Sequence, residues 1–74
     1  MGRLAGFSTA EVIRKLRRAG FQFDRMAKGC HEIWLHPNTR ARVTIPNHPG
    51  DVPEGTLNAI VRGAGLSVER FLRL

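Results

Sequence analysis

Turn residues cut positions 20–46 into three short segments, joined so closely that they can only be neighbours in one sheet. Phe21-Gln22-Phe23-Asp24-Arg25 follows Gly20 and alternates between apolar and polar residues. Ala27-Lys28-Gly29 is a tight turn, Cys30 to His36 is a second extended run, and Pro37-Asn38-Thr39 turns the chain again. Arg40-Ala41-Arg42-Val43-Thr44-Ile45 puts Ala41, Val43 and Ile45 on one face and Arg40, Arg42 and Thr44 on the other, and Pro46 ends it. Connections this short cannot hold the crossover that parallel strands need, so an antiparallel meander is expected.

Helical signals flank the meander. Ser8 with Glu11 has the form of a capping box, and Val12, Ile13, Leu16 and Ala19 recur at helical spacing behind it. Arg14, Lys15, Arg17 and Arg18 fall on the remaining surface, where the basic cluster complements the helix dipole, and Gly20 suits the position just past the helix end. Residues 1–7 read as a loose lead-in. Beyond the 47–50 loop, Asp51 is expected to cap a second helix, with Pro53 in its first turn and Glu54 completing the pattern. Leu57, Ile60, Val61 and Ala64 form that helix's apolar stripe, and Gly65 ends it. Ser67 is expected to cap a short third helix carrying Val68, Phe71 and Leu72.

The expected class is therefore α+β, in the order α-β-β-β-α, with the helices sharing one face of the sheet and the other face left to solvent or a partner. Alternation fails in the second strand, where Ile33, Trp34 and Leu35 are consecutive and apolar. A regular strand groups His31 with Ile33 and Leu35, and Cys30 with Glu32, Trp34 and His36. Which group meets the helices is open at this level.

Seventy-four residues make one domain, 1–74, with a modest core and no room for a closed cofactor cavity, so no cofactor is expected and any chemistry sits on an open surface. The net charge is +6, from 12 Lys+Arg against 6 Asp+Glu, and most of the basic residues are arginine. The planar arginine fork matches phosphate, which favours a polyanionic partner or an acidic protein over mere solvation. One cysteine allows no internal disulfide. With no secretory signal and no apolar run near the ~18 residues of a membrane span, a soluble cytoplasmic protein is expected, with no membrane partner.

His31 is the leading candidate for chemistry. RNA carries its own nucleophile, the 2′-hydroxyl, so a protein that cuts it must supply proton transfer and positive charge. A histidine titrates near neutrality, and this one starts a strand after a Gly turn, a place both rigid and accessible. Against this stands the commoner case of a surface histidine with no role. Lys28, Arg25 and Arg42 are placed to approach it and bind phosphate, although ordinary exposed cross-strand charge reads the same way. Glu32 is a poor partner, because adjacent strand residues point to opposite faces. Cys30 as a nucleophile meets the same objection. His31, His36 and His48 match no zinc spacing, so no metal is expected. His36, before Pro37, reads as shaping the turn, His48 as a groove edge, and Trp34 as core rather than a base-stacking platform.

Taken together, Gly20-Phe21, Lys28-Gly29-Cys30-His31, His36-Pro37, Val43-Thr44-Ile45-Pro46, His48, Pro53-Glu54-Gly55-Thr56-Leu57 and Ala64-Gly65-Leu66 resemble, in order and spacing, the HicA family of mRNA-interferase toxins. The resemblance runs from about Ser8 to Leu66. It implies a double-stranded-RNA-binding-like fold, metal-independent endoribonuclease activity on mRNA, and a HicB-type antitoxin that covers the active site. The family's catalytic histidine ends a Gly-Ser-His motif and falls on His31; Cys30 stands where the family usually has serine, and with Lys28, Arg25, Arg42 and His48 it completes the RNA-contacting candidates. Two other functions remain consistent with the residues alone: a non-catalytic RNA-binding module of the same fold, and a protein-interaction domain for an acidic partner.

Overall fold

The first helix, α1 (Thr9–Arg18), begins where its cap requires. Ser8 Oγ accepts the Glu11 N–H, and the Glu11 carboxylate accepts from the Ser8 backbone N–H at 3.0 Å. Ala19 is the C-cap, and Gly20 follows at φ +104. A Cβ on Gly20 would also lie 2.6 Å from His36 Nε2, so both backbone angle and space demand glycine there. The structure, a computed structural model, describes residues 2–47 and 49–74.

Strands β1 (Gln22–Met26), β2 (His31–Leu35) and β3 (Arg42–Pro46) form an antiparallel sheet in the order β1-β2-β3. β3 begins two residues later than its alternation suggests. Arg40 takes a left-handed φ of 67 and donates its N–H to the His36 carbonyl at 2.8 Å, so it belongs to the turn. Ala41 continues the return path by accepting the His36 N–H at 2.9 Å.

Helices α2 (Glu54–Gly63) and α3 (Val68–Arg73) complete the chain. Asp51 does not cap α2. The N-cap is Pro53, which makes no side-chain cap bond, while Asp51 pairs with Ser8 in an isolated antiparallel bridge. Two residues separate Asp51 from α2, and its backbone is committed to the segment before α1. Ser67 does cap α3, accepting the Arg70 N–H at 3.1 Å.

All three helices pack on one face. Trp34, Val43 and Ile45 of the sheet meet Val12 and Leu16 of α1, Leu57, Ile60 and Val61 of α2, and Phe71 of α3. The face of β2 left open by sequence is thereby assigned: Glu32 and Trp34 look toward the helices, and His31, Ile33 and Leu35 look away. The lead-in is not loose. Leu4 is buried in this core, and the Phe7 ring meets Phe71 edge-on at 5.5 Å. Lys15 is likewise not free surface charge: its ammonium donates to the Leu72 and Leu74 carbonyls, 3.4 and 3.0 Å away, and lies over the Phe7 and Phe71 rings. The result is an α+β, double-stranded-RNA-binding-domain-like arrangement with one face of the sheet free of helices. Among the described residues, no helix is long and apolar enough to cross a membrane.

Candidate active site

His31 is the first residue of β2, and backbone bonds hold it from both sides. Its carbonyl accepts the Ala27 N–H at 2.7 Å, closing the β1–β2 turn, and it stands opposite Pro46 of β3. Its neighbour Cys30 accepts the Asn47 N–H at 2.7 Å. The backbone is thus fixed while the side chain is exposed, and no described group hydrogen-bonds the imidazole. Such a ring is open to direct contact by whatever docks on the sheet.

The register decides which cations share that face. Arg25 stands opposite Ile33, two residues along β2 from His31, and so is its diagonal neighbour, about 7–8 Å away between Cα atoms. Its guanidinium now pairs with Asp24 at 2.7 Å, an exposed contact. Exposed pairs of this kind contribute little, so the arginine can turn to a phosphate at small cost. Lys28 is exposed on the turn before His31, which Gly29 closes with φ +77. Arg42 also faces away from the helices but pairs with Leu35, four residues from His31, or about 13 Å along the strand. The register therefore sets Arg25 beside the histidine, with Lys28 on the adjoining turn and Arg42 at the other end of the same face. Cys30 is exposed in the bend just before the strand. His48, expected at a groove edge, lies outside the described residues.

His36 has a separate task. Its Nε2 lies 3.1 Å from the Ala19 carbonyl, and its Nδ1 accepts the backbone N–H groups of Asn38 and Thr39, each at 3.2 Å. Those partners assign the Nε2–H tautomer. Phe21 packs edge-on against the ring at 5.2 Å. The ring pins the β2–β3 turn to the end of α1, the turn-shaping role expected of it. His31 and His36, about 17 Å apart along an extended chain, cannot share one metal ion.

The residue that sequence reasoning underrated is Glu32. It is a poor partner for His31, as alternation requires, but it is also a buried carboxylate. Its Oε1 accepts the Trp34 indole N–H at 3.0 Å, and its Oε2 accepts from the Asn47 amide. Asn47 is thereby tied to β2 twice, by its backbone at Cys30 and by its side chain at Glu32. The signal was present in the sequence as Glu and Trp at i and i+2 on one face of a strand; Asn47 comes to them only through the β2–β3 register. Trp34 is core, as expected, at 2% exposure.

No curated protein matches the chain. The model of one family, described as the HicA toxin of bacterial toxin–antitoxin systems, matches residues 9–66, from the first residue of α1 to the loop after α2. With the sheet, its helix-free face and His31 all inside that span, the chain belongs to the HicA toxin family.

Proposed function

We propose that this toxin is a metal-independent endoribonuclease that cleaves mRNA in the cytoplasm, with His31 as its catalytic residue and a HicB-type antitoxin as the protein that covers the site. The observation that carries this reading is the placement of His31: an exposed, unbonded imidazole on a fixed backbone, with Arg25 diagonal to it and Lys28 on the adjoining turn. RNA lies on the helix-free face of the sheet. The His31 imidazole accepts the 2′-hydroxyl proton as the 2′-oxygen bonds to the adjacent phosphorus. The bond from phosphorus to the 5′-oxygen breaks, and that oxygen takes a proton from water or from the imidazolium. Arg25 and Lys28 offset the charge that develops on the phosphoryl oxygens, and Cys30, Arg42 and His48 extend the RNA contacts.

The products are a 2′,3′-cyclic phosphate and a 5′-hydroxyl end. The test is cleavage of a mixed-sequence single-stranded RNA, with EDTA present, by wild type and His31→Ala, the folding of both checked by circular dichroism. Wild type is expected to cut and the folded variant to be at least about 100-fold slower. Cleavage of an all-2′-deoxy substrate, loss of activity on chelation, or equal rates in the two proteins would overturn the mechanism. Salt-dependent RNA binding without cleavage would leave the non-catalytic RNA-binding module instead.

A further inference from the structure

The two edges of the sheet differ. α2 flanks β3 so closely that a Cβ on Gly63 would stand 3.6 Å from Val43 Cγ1 and 3.9 Å from the Arg42 carbonyl oxygen. β1 is exposed at every residue, and no described element lies on its outer side. An uncovered edge with apolar side chains is ordinarily a liability, and proteins blunt it.

The bulge in β1 gives this edge an apolar character that its alternation would not. Phe23 pairs with Trp34, Arg25 with Ile33 and Met26 with Glu32, so Asp24 is the extra residue. Trp34 and Glu32 share a face of β2. Phe23 and Met26, three residues apart, are therefore brought to one face, where a regular strand would set them on opposite faces. They are the exposed large apolar side chains of the described chain, at 49% and 53%. The face is the helix side of the sheet, at a corner that α1 borders without covering. The Arg17 guanidinium lies over the Trp34 ring at 5.2 Å, and Phe23 meets the same ring edge-on at 5.8 Å. Arg14, one turn earlier on α1, is exposed beside it. Of the carboxylates on β1 and β2, Glu32, across from Met26, is occupied by Trp34 and Asn47, and Asp24 is paired with Arg25.

An apolar pair bordered by two arginines fits a particular occupant. A second copy would set Arg14 and Arg17 of each chain against those of the other, on molecules of net charge +6. RNA would satisfy the arginines and could stack a base on Phe23, but the backbone groups along the uncovered outer edge of β1 are matched by an extended peptide, which pairs with them as a further strand. We propose that this corner docks an acidic segment of a partner protein laid along β1, its apolar side chains on Phe23 and Met26 and its carboxylates at Arg14 and Arg17. The inference rests on the toxin reading above, under which that partner is the antitoxin. It gives the antitoxin a grip on the helix side of the sheet, apart from the His31 face.

The test is calorimetric binding of the HicB-type antitoxin to wild type, to Phe23→Ser/Met26→Ser and to Arg14→Glu/Arg17→Glu. Binding of a fluorescein-labelled single-stranded RNA is measured in parallel, and folding is checked by circular dichroism. Each double variant is expected to lose about 10-fold or more in antitoxin affinity. The Phe23/Met26 variant is expected to keep wild-type RNA cleavage. Unchanged antitoxin affinity in both variants would overturn the docking site, as would failure of the antitoxin to bind wild type. RNA binding lost in the Phe23/Met26 variant with antitoxin affinity intact would assign the corner to RNA and overturn it too. The ribonuclease reading is decided separately by His31→Ala, so the two can fail independently.

Discussion

His31 and His36 bracket β2 and are held in opposite ways. The first has a fixed backbone and a free ring; the second has every ring nitrogen engaged, at Ala19, Asn38 and Thr39. Replacing them should therefore give opposite signatures. His31→Ala should leave stability within about 0.5 kcal/mol, as for most exposed positions, while removing cleavage. His36→Ala removes two exposed backbone bonds, the part-buried bond to the Ala19 carbonyl and the contact with Phe21, so a loss of about 1–2 kcal/mol is expected in urea unfolding. Gly20→Ala should weaken the same junction, because its φ of +104 and the 2.6 Å approach to His36 Nε2 both oppose a Cβ. A His36→Ala protein as stable as wild type would show that the ring does not pin the turn.

The elements are tied together at their ends by charged groups. In the capping box of α1, the Ser8 backbone N–H and then its hydroxyl bond the Glu11 carboxylate and hold it below the ordinary carboxylate range. Glu69 is lowered too, first by its hydrogen bond from Arg3. A carboxylate whose folded pKa is depressed stabilises the fold fully above the unfolded value, about 4.3 for glutamate, and loses that contribution as pH falls through the folded one. Acid unfolding below about pH 4.3 should therefore be shallower in Glu11→Gln than in wild type, as circular dichroism along a pH titration would show. Ser8→Ala should cost about 1 kcal/mol at neutral pH, the usual loss of an N-cap. Lys15 caps α3 from a distance by donating to the Leu72 and Leu74 carbonyls, so this lysine amid an arginine cluster is committed within the fold.

Across the whole molecule, charge and shape divide into two faces. The helix-free face carries His31 with Arg25, Lys28 nearby on its turn, and Arg42 at the far end, while the Phe23–Met26 corner lies on the helix side. If Arg25 and Lys28 each neutralise one phosphate of a single strand, RNA affinity should fall about sevenfold between 50 and 200 mM salt. A flat salt response would remove both from the interface. Glu32 joins the site to the core, because its carboxylate secures Asn47 beside Cys30 and the Trp34 indole within the helix packing. Glu32→Ala would leave those donors unpaired, and a loss of about 2–3 kcal/mol is expected in thermal or urea unfolding. Glu32→Gln should recover much of it, since the Asn47 amide can turn to present its oxygen.

Much of this protein is legible without coordinates, for a local reason. Caps, glycine positions and alternation act over a few residues, so Ser8 with Glu11, Gly20, Gly65, Ser67 and the strand turns fix where elements start and stop. His31 stands out on the same terms, by its place after a Gly turn and by its resemblance to a family motif. What required the tertiary structure were the relations between segments distant in sequence. The register separates Arg42 from His31 and brings Asn47 to Glu32. A single bulged residue in β1 puts Phe23 and Met26 on one face. The core takes in Leu4 from a lead-in that has no periodic signal, and the bridge to Ser8 removes Asp51 from the cap of α2. Local chemistry set the elements, but pairing and burial between them, which no short window of sequence encodes, decided which side chains meet.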